Sequence, residues 1–143
     1  MKTKLRIEIE SSFENTAFAG AAVEGAAREA GLDKSGAADV RLCTEEACNN
    51  CIEHAYKSED NKTVEIEFGI DDDSIIVSIA DIGITISNMT IQRPDPEPDN
   101  LESLPERGMG LFIIDSLSDS MKYYTKKEKN VLEFTKIITN NSI

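Results

Sequence analysis

The chain has 143 residues, 40% of them hydrophobic and 29% charged, which suits a single globular domain spanning 1–143 and excludes an intrinsically disordered polypeptide. Its 27 acidic residues against 15 basic ones leave a net charge of −12, a surface that repels nucleic acid and anionic membranes rather than binding them nonspecifically. No apolar run approaches the roughly 20 residues of a membrane span, and the opening MKTKLRIEIE lacks the apolar stretch of a signal peptide, so a cytoplasmic protein with no direct nucleic-acid or membrane partner is expected.

The first element is a half-buried strand, because Leu5, Ile7 and Ile9 alternate with Arg6, Glu8 and Glu10. Ser11-Ser12-Phe13-Glu14 has the form of a capping box and predicts a helix behind it, rich in alanine, with Phe18, Ala22, Ala26 and Ala30 along one face. Gly31 ends that helix, and Asp33 caps the next, whose apolar side carries Val40, Cys43, Ala47, Cys51 and Ala55 as far as about Lys57. Val64, Ile66, Phe68 and Ile70, then Ile75, Val77 and Ile79, form a hairpin across the turn Asp71-Asp72-Asp73, and the hairpin ends at Asp81.

Residues 84–107 behave differently. All four prolines (Pro94, Pro96, Pro98 and Pro105) lie in this stretch, where they remove backbone donors and block regular structure. A loop of that length in a compact domain is usually functional or mobile. Gly108-Met109-Gly110 then opens an apolar helix through Leu111, Phe112, Ile114 and Leu117, and 122–127 with 131–138 read as a terminal hairpin. The order β-α-α-β-β-loop-α-β-β predicts an α+β fold, a two-layer sandwich whose mixed, mostly antiparallel sheet is covered on one face by helices.

Three clusters carry chemistry-bearing residues. Glu46, Asn50 and His54 (the only histidine) are spaced i, i+4, i+8 on the second helix beside the small residues Ala47, Cys48, Cys51 and Ala55. Glu45 and Asn49 share the i, i+4 spacing, and periodicity does not choose between the two pairs. A lone helix histidine is more often structural than a ligand, and His54 is read that way. Cys48 and Cys51 make a C-x-x-C, but in mid-helix rather than at the helix start where a thiolate is stabilised, so the three cysteines are read as small core residues. The second cluster, Asp81-Ile82-Gly83, puts a carboxylate at the end of an apolar strand, where it needs a donor, followed by a glycine that lets a flat ring approach the backbone. In the third, Glu106-Arg107-Gly108-Met109-Gly110-Leu111, a glycine-rich helix start exposes N–H groups to an anion and Arg107 offers a forked contact to phosphate.

In this order (E-x-x-x-N on a helix, D-x-G after a strand, a long loop, R-G-x-G before a helix) the clusters resemble the ATP-binding domains of the GHKL superfamily. The wording Glu46-Ala47-Cys48…Asn50…Ile52-Glu53-His54-Ala55-Tyr56 and Arg107-Gly108-Met109-Gly110-Leu111-Phe112-Ile113-Ile114 is similar to that of small bacterial anti-sigma-factor serine/threonine kinases, over essentially the whole chain. The register of that pattern selects Glu46 and Asn50. The resemblance implies that Glu46 is the general base, that Asn50 ligates Mg²⁺, and that Asp81 receives the adenine amine with Gly83 under the ring. It implies that Arg107, Gly108, Met109, Gly110 and Leu111 hold the phosphates of ATP, and that 84–107 is the ATP lid. It further implies a homodimer that phosphorylates a STAS-type anti-sigma-factor antagonist and alternately sequesters a sigma factor. Thr85 stands where a second glycine is common, and Glu106 where a glycine often precedes the arginine; both bear on lid geometry and turnover. Two other readings are a nucleotide-gated binding module without significant kinase activity and a detached histidine-kinase sensor domain. The second lacks a phospho-accepting helix, since His54 already lies in the Glu46 helix.

Overall fold

A computed structural model describes residues 1–81 and 109–138. Strand β1 (Lys2–Glu10) leads through a short 3₁₀ turn (Phe13–Asn15) into α1 (Thr16–Ala30) and α2 (Lys34–Asn50). The hairpin β2 (Thr63–Asp71) and β3 (Ser74–Asp81) follows, then α3 (Met109–Leu117) and the hairpin β4 (Ser120–Lys126) and β5 (Lys129–Ile137). The five strands form one sheet in the order β1-β2-β3-β5-β4. Every described pairing is antiparallel, so the sheet has none of the parallel pairs that a mixed one would contain.

Period-2 patterning builds the sheet's inner face. Val64, Ile66 and Phe68 of β2, Ile75, Val77 and Ile79 of β3, and Leu132 and Phe134 of β5 are all buried. They meet Val23 of α1, Val40, Cys43 and Ala47 of α2, and Ile114 of α3 in one core. The helices pack side by side, α2 between α1 and α3, over this face. The other face carries ion pairs, Arg6–Glu67 at 3.1 Å, Lys122–Glu133 at 3.1 Å and Lys129–Glu65 at 2.6 Å, each contributing about 0–1 kcal/mol at such exposure. No described helix is long and apolar enough to cross a membrane.

Two predicted boundaries hold in detail. Gly31 adopts φ +115°, a left-handed cap that residues with a Cβ rarely adopt. Asp33 accepts the Gly36 N–H at 2.7 Å, a cap that typically stabilises a helix by about 1 kcal/mol.

Three expectations are corrected. The capping box does not form: Ser12 makes no side-chain cap, and α1 begins only after the 3₁₀ turn. Ser11 is instead buried, its hydroxyl donating to the Glu59 carbonyl and accepting the Lys62 N–H at 3.0 Å, so it ties the end of β1 to the segment before β2. On α1 the fully buried stripe is Ala19, Val23 and Ala27, whereas Phe18 is 73% exposed; the long Phe18–Ala30 row looks outward at its start because α1 packs on α2 through its smallest residues. Finally, α2 does not continue regularly to Lys57. A π-turn spans Cys51–Ala55, with the Tyr56 N–H reaching back to the Cys51 carbonyl at 3.0 Å, and the chain then leaves through Lys57 and Ser58 at positive φ. The extra residue per turn breaks the i, i+4, i+8 stripe after Asn50. His54 is consequently a surface-side residue, three-quarters buried, with Nε2 3.9 Å from Glu53 Oε2.

Candidate functional site

The last turns of α2 form one wall. Glu46 and Asn50 stand one turn apart, and α3 docks its first turn on them. A Cβ on Gly110 would lie 3.0 Å from Glu46 Oε2, 3.3 Å from Asn50 Nδ2 and 3.4 Å from Asn50 Oδ1. Gly110 is therefore the residue that lets the α3 backbone approach the two polar side chains, and any side chain there would fill the space between them. The first and third clusters of the sequence, about sixty residues apart, meet at this point.

Burial pushes the Glu46 carboxyl up from the usual range, and the neighbouring Glu45 charge adds to it. Glu45 itself turns to α1: Arg41 Nε donates to its Oε1 at 2.8 Å, and Arg41 also reaches Glu24 at 3.3 Å. Gly20 of α1 leaves the room for this, since a Cβ there would sit 2.5 Å from Glu45 Oε1. Of the two carboxylates with a carboxamide four residues on, Glu46 thus faces α3 and Glu45 an ion-pair network on the other side.

Asn50 Nδ2 is buried and has no hydrogen-bond partner among the described residues. Leaving a buried donor unsatisfied costs about 1–3 kcal/mol, so this side chain is poised for a polar group that arrives from outside the chain. A carboxamide and a carboxylate one helical turn apart are also the hard oxygen donors that Mg²⁺ accepts, and the residues present fit such an ion.

The second wall is Asp81, 5% exposed at the end of β3. Antiparallel register sets it opposite Asn130 of β5, whose Nδ2 donates to Asp81 Oδ1 at 3.0 Å. The Cys51 thiol, at the start of the π-turn, also bonds to the Asp81 carboxylate. Between these groups lies a cavity of about 30 Å³ lined by Asn50, Cys51, Ile79, Asp81, Tyr123 and Leu132. That volume holds a water or the polar edge of a ring, not a whole purine. A larger cleft of about 320 Å³ reaches Asp81 from the side of Tyr56, Lys62, Glu65 and Lys129, but neither Glu46 nor Asn50 lines it.

Gly83, Arg107 and Gly108, the lid 84–107, Thr85 and Glu106 lie outside the described residues. Met109 enters only as the first residue of α3, and Leu111 is half-buried against the core. The structure thus brings Glu46, Asn50 and Gly110 together and puts Asp81 beside Asn50 across the small cavity. Sequence reasoning missed Asn130 and the second role of Cys51. A signal for Asn130 existed: it precedes Leu132 and Phe134 on the same alternation, and a polar residue in an inward-facing series is a buried group in need of a partner. The three thiols are free and buried, and burial raises each, Cys43 and Cys48 to about 12 and Cys51 well above the ordinary thiol range, which leaves no thiolate for redox chemistry at neutral pH.

A family model described as histidine kinase-like ATPase domain matches residues 9–136. The chain is 31% identical over 138 residues to an anti-sigma F factor of Clostridium perfringens, covering 96% of this chain and 95% of that protein. It is 30% identical over 143 residues to the serine-protein kinase RsbW of Bacillus mycoides, covering 98% and 88% respectively. Among solved structures, the RsbU and RsbW domains of Rv1364c from Mycobacterium tuberculosis superpose with a TM-score of 0.65 over 93% of this chain, at 16% identity, a likeness of fold. This chain spans 31% of that longer one.

Proposed function

The chain belongs to the histidine kinase-like ATPase domain family, and from that premise we propose that it is an ATP-dependent serine/threonine protein kinase and anti-sigma factor of a partner-switching pathway. It phosphorylates an anti-sigma-factor antagonist of the STAS type and otherwise sequesters a sigma factor. The observation that carries this reading is the docking of Gly110 on Glu46 and Asn50, which joins a glycine-opened helix start to a carboxylate–carboxamide pair. Phosphoryl transfer needs mainly positioning and charge neutralisation, and those three residues supply places for both.

Glu46 accepts the proton of the attacking serine or threonine hydroxyl as its oxygen bonds to the γ-phosphorus and the bond to the β-phosphate oxygen breaks. Its raised pKa matches that task, because a base is most effective when its pKa approaches the working pH. Asn50 presents Oδ1 to Mg²⁺ and Nδ2 to a phosphate oxygen. The bound ion would supply charge neutralisation on the phosphates. Asp81 accepts the exocyclic amine of adenine, with Gly83 beneath the ring. Arg107, Gly108 and the start of α3 at Met109, Gly110 and Leu111 hold the phosphates, with 84–107 closing over them as the lid of a single 1–143 domain. A cytoplasmic homodimer is the assembly that fits this role, and the net charge of −12 suits a basic protein partner.

The test is transfer of labelled phosphate from ATP to the cognate antagonist. Phosphorylated antagonist is expected; ATP binding without transfer would replace the kinase with a nucleotide-gated binding module. A second expectation concerns Gly110→Ala. A methyl group between Glu46 and Asn50 should lower transfer about fivefold, while the melting temperature holds or rises, because alanine favours helix. Unchanged transfer would detach the α3 start from the chemistry.

A further inference from the structure

Three elements converge on one buried carboxylate. Asp81 ends β3, Asn130 reaches it from β5 at 3.0 Å, and Cys51 reaches it from the π-turn. Cys51 and Asp81 both line the small cavity beside Asn50. Neither donor is a cation, so the carboxylate is held by hydrogen bonds without being neutralised, and a carboxylate has about four lone-pair sites to offer. The π-turn is what makes this possible. It begins at Cys51, directly after the metal-side residue Asn50, and sets the thiol and the carboxamide on the same cavity.

We propose that Cys51 is a positioning residue for nucleotide recognition: its S–H donates to Asp81 and fixes the carboxylate in the orientation that accepts a purine exocyclic amine. The inference rests on the reading of Asp81 as the adenine acceptor. A buried thiol keeps its proton, and both burial and the Asp81 charge act in that direction here, so Cys51 remains a donor across the neutral range. With Asn130 and Cys51 both donating, the carboxylate presents only acceptor capacity to the ligand. It accepts an amine and repels a carbonyl oxygen at the same ring position, which makes the trio a base-discriminating device. The C-x-x-C that failed as a redox motif thereby acquires a use for one of its members, while Cys48 stays core.

The experiment compares Cys51→Ala and Cys51→Ser with wild type by calorimetric ATP binding, by KM and kcat for antagonist phosphorylation, and by thermal melting. Cys51→Ala removes the donor and should raise the Kd and KM for ATP about threefold to tenfold with kcat unchanged. Cys51→Ser restores an O–H donor and should recover most of that loss, although burying a hydroxyl makes it the less stable of the two variants. Affinity and stability then rank in opposite orders, which a purely structural role cannot produce. Serine binding ATP no better than alanine, or both variants binding as wild type does, overturns the inference. Asp81→Asn, measured alongside, separates the two ideas. If it weakens ATP while Cys51→Ala does not, only the role of the thiol falls; if it leaves ATP binding unchanged, both fall.

Discussion

Replacing Glu46 by glutamine should lower phosphoryl transfer to the antagonist about 10²- to 10⁴-fold, the usual contribution of a positioned general base, and leave ATP binding intact. Glutamine keeps the volume and the contact with the Gly110 backbone region, so the pocket is preserved and only the proton acceptor is lost. The pH dependence has a definite sign. Burial and Glu45 raise the Glu46 pKa, and the base works only when ionised. Transfer should therefore rise with pH along a limb that lies above the ordinary glutamate range, and that limb should vanish from the residual activity of Glu46→Gln. Stability runs the other way. A carboxyl whose pKa is raised by folding contributes its stabilisation below its unfolded pKa and loses it as pH rises through the folded value. At neutral pH the ionised Glu46 is thus a cost to the fold, and Glu46→Gln should melt no lower than wild type. Single-turnover transfer and calorimetry on the same preparation check both halves; near-wild-type transfer would remove Glu46 as the base.

This opposition between activity and stability explains why some parts of the chain are readable and others are not. The alternations in 64–70 and 75–79 and the punctuation at Gly31 and Asp33 obey local rules, and the hairpin and the helix boundary follow them. The Ser11-Ser12-Phe13-Glu14 signature is equally local, yet Ser11 finds better partners 48 and 51 residues away at Glu59 and Lys62, and the box is not made. The π-turn leaves no mark in apolar periodicity, because Cys51, Ile52 and Ala55 are buried in either geometry. Only packing on β3 and β5 decides it. The candidate site divides the same way. Glu46 and Asn50 are legible from helical spacing, but the choice of Glu46 over Glu45 needs the Arg41–Glu24 network on a second helix. Asn130 partners Asp81 only through strand register across 49 residues. Each feature that escaped the sequence is a long-range pairing of a polar group, and polar groups inside a core are where local rules yield to tertiary contacts.

That same pairing fixes the expected outcome of Asp81→Asn. The carboxylate accepts hydrogen bonds from Asn130 Nδ2 and from the Cys51 thiol, and in the proposed complex also from the adenine amine. A carboxamide of the same shape has one acceptor oxygen and one NH₂ group. Whichever way it turns, a donor faces a donor in a site 5% exposed to solvent. If Asn130 flips its own amide to relieve the clash, the adenine amine still exchanges a charged acceptor for a neutral one of about half the strength. An unsatisfied buried donor costs about 1–3 kcal/mol, so the Kd for ATP should rise about tenfold to a hundredfold. The sign of the base preference gives a sharper test. Inosine triphosphate carries a carbonyl oxygen where ATP carries the amine, and wild type should strongly prefer ATP. The NH₂ group introduced by Asp81→Asn can donate to that oxygen, so the preference should shrink or invert. Calorimetry with two nucleotides on two proteins closes the cycle, and a preference that does not change between them would place the purine edge somewhere other than Asp81.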